Sequence, residues 1–364
     1  MKGVNTLKKF ISLFLCFILV FSLTACKSSK TETFKDNNNN YISSDIDENG
    51  NIISSNNSNN SNSSEGDKNS FEIYTSETTE QETSTDLIVH FIDCGNADST
   101  FVELPDNKTM LIDAGNNNDG QDICSYIQNL GYTKIDYLIG THPHEDHIGG
   151  LDDVINTFDI GNIYLPRIPS AYVPSTKTYE TVLTAISNKN LSITSPVAGQ
   201  KIVCEGITIV EFMNTIDNVF SENMNDYSLV MKIEHGENTF MLCADAEETT
   251  EKEILNKVDK FYLQCDVLKV GHHGSYTSTS DAWLSAIDPT YAYIPCGIGN
   301  EYEHPHDVIL QKLTKKNITY YRADKDGTVI FTSDGTSLNI QTKMTGDIPL
   351  GDTNWSPSMI KAGS

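Results

Sequence analysis

Positive charge is what this sequence has least of. Its 364 residues carry 25 Lys and Arg against 50 Asp and Glu, for a formal net charge of −25 and a pI near 4.6. The basic footprint of a nucleic-acid binder is missing. Eight cysteines are too few for a disulfide scaffold. Cys94, Cys124, Cys204, Cys243, Cys265 and Cys296 also lack the C-x₂-C spacing of a thiolate metal site. No apolar run reaches the roughly 20 residues of a membrane-spanning helix, and neither a G-x-G-x-x-G nor a P-loop pattern signals a nucleotide. Collagen-like and coiled-coil compositions are excluded as well. What is present is 38% hydrophobic residues, enough for a packed core.

The front of the chain is not core material. Lys8 and Lys9 precede a short apolar run, Phe10 to Leu23, broken only by Ser12 and Ser22. A positive region followed by a short apolar one is the pattern of a secretory signal. It ends in Leu23-Thr24-Ala25-Cys26, which resembles the lipobox of bacterial lipoproteins. That resemblance implies a signal peptide over residues 1–25 and lipidation of Cys26. The expected product is an exported, membrane-anchored lipoprotein on the extracytoplasmic face, its acyl chains contributing about 0.8 kcal/mol per buried CH₂. From Asn37 to Ser70, 21 of 34 residues are Asn or Ser. Such a segment cannot bury enough surface to offset its ordering entropy. Residues 26–85 therefore read as the lipidated Cys26 and a disordered tether with an r.m.s. span of roughly 40–45 Å. Residues 344–364 read as a loose tail.

Residues 86–343 read as one domain. Leu87–Ile92, Thr100–Leu104 and Thr109–Ile112 are β-rich and separated by turns. Residues 121–131 have helical spacing and stop at Gly131. Ile135–Ile139 is a buried strand that runs into a polar loop. The second half repeats this logic. A hairpin spans 228–243 and a helix 248–258. Strand 267–270 exits into Gly271-His272-His273-Gly274-Ser275, and further helices and short strands follow to residue 342. Strands and helices mixed in this way predict an α/β architecture, with two sheets sandwiched by helices.

The chemistry is concentrated in His142-x-His144-x-Asp146-His147, four potential ligands in six residues. Imidazole and carboxylate together suit zinc, manganese or iron. His142 and His144 can share one ion, and Asp146 and His147 a second. The motif, with Ile148-Gly149-Gly150-Leu151 after it, resembles the signature of the metallo-β-lactamase superfamily, whose αββα sandwich agrees with the pattern above. Asp93-Cys94-Gly95-Asn96-Ala97-Asp98-Ser99, Leu111-Ile112-Asp113-Ala114-Gly115, Ala244-Asp245-Ala246-Glu247, Lys269 to Ser275, His304-Pro305 and Tyr321-Arg322-Ala323-Asp324 occur in order. They are similar to the C-terminal hydrolase domain of the competence protein ComEC and its stand-alone relatives. Ala97 departs from that branch's glycine.

The resemblance implies two divalent metal ions, zinc or manganese, bridged by Asp245. His235, in a His-Gly turn, reads as a solvated turn residue, so the remaining ligands must come later. His273 is expected on the first ion and His304 on the second, with His272 in the pocket, although spacing cannot separate His272 from His273. His306 reads as a surface residue. Asp113 is a candidate for orienting a ligand imidazole, with a helix or turn cap as its alternative, and Asp98 is a candidate for a supporting position at the pocket, with a turn cap as its alternative. Arg322 is a candidate phosphate clamp, with pairing to Asp324 as the alternative. Asp146, His272 and Glu247 are the candidate proton-transfer groups. The expected activity is hydrolysis of a phosphoester or phosphodiester, on DNA or a cell-wall polymer, at the cell surface. A phosphorylcholine-type cell-wall esterase and a catalytically silent binding lipoprotein are the alternatives. No protein partner is indicated beyond the membrane reached through Cys26.

Overall fold

Period-two alternation builds the centre of the domain. Leu87, Val89 and Phe91 face one way along their strand, and His90 faces the other, toward Tyr126. Phe240 and Leu242 likewise point into the same core, while Met241 and Cys243 point out of it. This is the pattern of sheets with both faces covered. The structure, a computed structural model, describes residues 85–204, 208–214 and 221–343. It also describes the backbone of three short strands, Lys30–Lys35, Tyr41–Ile46 and Ile52–Asn56, which pair antiparallel as a unit of their own. The expected signal peptide, Cys26, the remainder of the tether and the tail lie outside the described residues.

Two sheets face each other across the largest apolar cluster, which draws Phe91, Val102 and Met110 from one and Phe212, Met231 and Phe240 from the other. In the eight-stranded sheet the strands run Leu338–Lys343, Thr328–Ser333, Leu87–Phe91, Thr100–Glu103, Thr109–Ile112, Lys134–Ile139, Asp159–Tyr164 and Ile193–Thr194. In the seven-stranded sheet they run Lys201–Val203, Thr208–Phe212, Met231–His235, Asn238–Leu242, Val267–Lys269, Tyr291–Ile294 and Thr319–Arg322. Helices Gly120–Asn129, Leu151–Thr157 and Lys177–Asn188 cover the outer face of the first sheet. Helices Glu248–Lys257, Asp281–Ile287 and Asp307–Lys315 cover that of the second. The order of layers is helix, sheet, sheet, helix. No helix among the described residues is long and apolar enough to cross a membrane.

Parallel pairing decides where the chemistry falls. Thr109–Ile112 lies parallel to Lys134–Ile139, and Asn238–Leu242, Val267–Lys269 and Tyr291–Ile294 are mutually parallel. Parallel neighbours present their carboxyl ends at one edge, which is where α/β sheets hold ligands. Asp113, the His142–His147 loop, Asp245, His272, His273 and His304 all follow such ends.

Close backbone packing secures the first loop. A Cβ on Gly150 would stand 2.3 Å from the carbonyl oxygen of Ala114 and 2.5 Å from Gly120 Cα. One on Gly149 would meet the Asn116 backbone at 2.3 Å. Both contacts are with backbone and cannot be relieved by a rotamer change. Gly150→Ala is therefore expected to destabilise the domain by about 1–3 kcal/mol, the usual range for overpacking. Urea unfolding of the metal-free protein would measure this, and an unchanged midpoint would contradict the packing argument.

Candidate metal centre

Asp245 stands at the middle of the site, 2% exposed, and its two oxygens face different groups of imidazoles. Oδ1 is 3.1 Å from His147 Nε2 and 3.5 Å from His273 Nε2. Asp146 Oδ2 completes this group, 3.1 Å from His273 Nε2 and 4.0 Å from His147 Nε2. Oδ2 of Asp245 is 3.9 Å from His142 Nε2, which lies 3.0 Å from His144 Nδ1. Two donors each about 2.1 Å from one tetrahedral ion stand roughly 3.4 Å apart. The observed spacings bracket that value. Asp146, His147, Asp245 and His273 could hold one ion, and His142, His144 and Asp245 another. The fit is reinforced by two donor atoms that lack a hydrogen bond. His147 Nε2 and Asp245 Oδ1 are buried and face each other at 3.1 Å without a well-formed hydrogen bond to any group, an arrangement that a cation between them would complete.

The loops that present these groups are held in uncommon backbone conformations. Asp113, Ala244, His272 and His273 have φ of 59°, 46°, 48° and 52°. The left-handed region costs roughly 1–2 kcal/mol for a residue with a side chain, and such strain gathers at functional sites. Asp113 accepts hydrogen bonds from Thr141 N at 2.8 Å and Thr141 Oγ1 at 2.7 Å. It also lies 2.8 Å from His147 Nδ1, fixing that ring so that Nε2 faces Asp245. His273 is oriented by the Pro295 carbonyl, 3.0 Å from its Nδ1. Carboxylates or carbonyls placed behind ligand imidazoles set their tautomer and direction.

His273 thus belongs with Asp146 and His147, not with His142 and His144 as expected from the sequence. His304 joins neither group. The Asp146 set already has four donors, and His304 instead closes the cavity wall, its ring centroid 5.6 Å from that of His272 and 6.1 Å from that of His273. His272 Nε2 lies 3.6 Å from Asp245 Oδ2, and its Nδ1 lies 3.2 Å from Glu247 Oε1. His235 is not a solvated turn residue. It is buried, with Nδ1 2.7 Å from Oγ1 of Thr208, its partner on the neighbouring strand. His306 receives the Tyr276 amide on its Nδ1. Arg322 does not reach the cavity either. Its Nε and Nη2 donate to Asp324 at 2.8 and 2.6 Å, because a carboxylate two residues away matches the guanidinium fork.

A cavity of about 640 Å³ opens over the two sets. Its walls include Asn96, Asn116, Glu145, Asn300, Glu301 and Tyr302, and among the described residues neither lysine nor arginine lines it. Sequence reasoning does not reach these residues, and it does not single out Lys269. Lys269 is buried below the site, paired with Asp98 and donating to the Ala244 carbonyl at 2.8 Å. A lysine inside the apolar run Val267-Leu268-Lys269-Val270 is the signal that could have found it.

Residues 92–298 match the family described as the metallo-beta-lactamase superfamily. The chain belongs to that superfamily. ComE operon protein 3 of Bacillus subtilis is 29% identical over 258 residues, covering 66% of this chain and 32% of that protein. Recombination protein 2 of Haemophilus influenzae is 29% identical over 230 residues, 62% of this chain and 26% of that protein. Competence protein ComA of Neisseria gonorrhoeae is 25% identical over 240 residues, covering 66% and 31%. These are ComEC-type competence proteins, and the chain spans about a third or less of their length.

Charge balance in the site sets its response to pH. Burial alone would depress His273, but Asp245 and Asp146 outweigh it and raise its imidazolium to about 10. His147 is likewise raised, with burial opposed by Asp245, Asp113 and Asp98. Both hold protons at pH 7 that an ion must displace. Metal uptake at pH 7 is therefore expected to release about two protons. Affinity should rise with pH toward about 10, where His273 deprotonates unaided. Without metal the sign is opposite. The stability these imidazolium–carboxylate contacts contribute is full below the ordinary histidine value near 6.5 and is lost as pH rises through about 10. Titration calorimetry in buffers of differing ionisation enthalpy would measure the release, and proton-neutral uptake would contradict it.

Proposed function

We propose that this superfamily member is a metal-dependent hydrolase of phosphate esters. The observation that carries the reading is the division of Asp245 between two donor sets at the floor of an open cavity. Two divalent ions, zinc or manganese, would polarise a phosphate oxygen and lower the pKa of a water between them. The chain's own groups supply orientation and proton transfer. Asp146 has its Oδ2 toward His273 and lines the cavity, where it can accept a proton from the attacking water. On the opposite side His272 lies between Asp245 and Glu247, with its Nδ1 toward the carboxylate. Glu247 is held by Thr277 Oγ1 at 2.8 Å and Asn223 Nδ2 at 2.9 Å, and its carboxyl stays ionised well below the usual range through the contact with His272. This pair is placed to return a proton to a leaving oxygen.

Two substrates remain in view. The likeness to ComEC-type proteins favours a phosphodiester of nucleic acid, acted on at the cell surface by a chain anchored through Cys26. The cavity favours a smaller or cationic phosphoester of the phosphorylcholine type. Glu145 and Glu301 line it and, among the described residues, neither lysine nor arginine does, whereas DNA binding rests on Lys and Arg at the phosphates. Tyr302 is 59% exposed at the rim, where an aromatic face can meet a quaternary ammonium.

The zinc- or manganese-loaded protein should be assayed on bis-p-nitrophenyl phosphate, single-stranded DNA and a phosphorylcholine ester. Turnover of at least one is expected, and failure on all three with two ions bound would refute the hydrolase reading. Asp245→Asn should lower kcat/KM by more than about 100-fold, beyond the loss typical of a supporting partner. Retained activity would displace Asp245 from its bridging role.

A further inference from the structure

We infer that Lys269 is a built-in cation of the site, a positioning residue whose ammonium, paired with Asp98, holds the donor set of Asp146, His147, Asp245 and His273 in register. Lys269 is 3% exposed at the end of an apolar strand. An ammonium there has lost its water, a penalty of several kcal/mol that only close partners offset. Its partners are two, the Asp98 carboxylate and the Ala244 carbonyl. Each leads directly to metal donors.

Ala244 precedes Asp245 and is itself left-handed. Its carbonyl accepts from Lys269 Nζ at 2.8 Å and from the His272 amide at 2.9 Å. One oxygen thus ties the Asp245 turn to the loop of His272 and His273. On the other side, the Asp98 amide donates to the Asp146 carbonyl at 2.9 Å, and the Asp98 carbonyl accepts from Gly115 N at 2.9 Å. Its carboxylate oxygens stand 3.6 Å from His273 Nδ1 and 3.7 Å from His147 Nδ1. Asp146, Asp245, His147 and His273 come from three separate loops, and the Lys269–Asp98 pair touches the support of every one.

The same geometry argues against a third metal. Asp98, Asp113 and His147 converge closely enough to suggest an ion site by composition. Lys269 already pairs with the Asp98 oxygen that such an ion would take. His147 Nδ1, the third donor, is committed to Asp113 at 2.8 Å. The ammonium fills this place permanently and without exchange, so the frame of the Asp146 set does not depend on metal supply.

The inference concerns ion binding and stands apart from the identity of the substrate. It is tested on the full chain by metal analysis and zinc titration against a competing chelator. Lys269→Met leaves Asp98 buried without its ammonium partner. Lys269→Met with Asp98→Asn removes both charges and keeps the domain foldable where the single variant is not. Lost metal affinity of about 10- to 100-fold is the typical effect of removing a supporting partner. That loss is expected at one of two ions in both variants, with the other still bound. The double variant should regain thermal stability relative to Lys269→Met without regaining the weakened ion, a separation that a purely stabilising ion pair would not give. Two ions bound at wild-type affinity in either variant would overturn the inference, as would recovery of both stability and the weakened ion in the double variant.

Discussion

A single carboxylate, buried and shared, sets the terms for the rest of the domain. Asp245 can face two imidazole groups at once only if both sheets deliver their carboxyl ends to the same edge. The sandwich provides this. The first sheet brings the His142–His147 loop, the second brings Asp245, His272 and His273, and the apolar layer between them fixes the distance. Buried carboxylates at Asp98, Asp113 and Asp245 in one region would repel each other strongly in a medium of low polarity. Imidazolium at His147 and His273 and ammonium at Lys269 balance them in the metal-free chain. The metal site is thus a place where protons and ions compete for the same negative charge.

This balance explains why the backbone around the site is strained. Left-handed Asp113, Ala244, His272 and His273 each turn a loop sharply at a strand end, so that a side chain re-enters the cleft instead of continuing along the strand. Glycine would adopt these angles with less strain, but glycine has no donor to offer. At Asp113, His272 and His273 the side chain is needed, and the surrounding hydrogen bonds hold the conformation.

Much of this is legible in the chain because local signals and function coincide. Four donors in six residues directly after an apolar strand point to a metal with little ambiguity, and turns and alternation mark the hairpins. The stretch from 159 to 227 carries weaker signals. Strand Asp159–Tyr164 has exposed Gly161 and Asn162 in its middle, and Lys201–Val203 is only three residues long, so neither shows a clean period. The assignment of ligands fails for a different reason. His273 and His304 are 31 positions apart in the chain. Which of them reaches Asp146 depends on a left-handed turn and on the Pro295 carbonyl, neither of which spacing encodes. His235 departs from expectation because it is buried against the Thr208 hydroxyl of the neighbouring strand, whereas Arg322 takes the alternative read for it, the pair with Asp324.

The acidity that dominates the composition takes on a specific meaning at the cavity. The chain has only two arginines, Arg167 and Arg322. One is exposed, and the other is committed to Asp324. Among the described residues no arginine or lysine lines the cavity, and Glu145 and Glu301 at its walls would not draw in an anionic substrate before metal is bound. Bound divalent ions reverse that local field, because an ion is the largest charge in its surroundings. In the proposed reaction, recruitment of a phosphate and activation of the water would then be coupled to the same event, metal loading. A basic cleft would hold a polyanion whether or not it could cleave it. On the proposed phosphoester reading, this acidic one would attract a phosphate only when it is equipped to react, and only over the short distance at which the ions are felt above the surrounding negative charge.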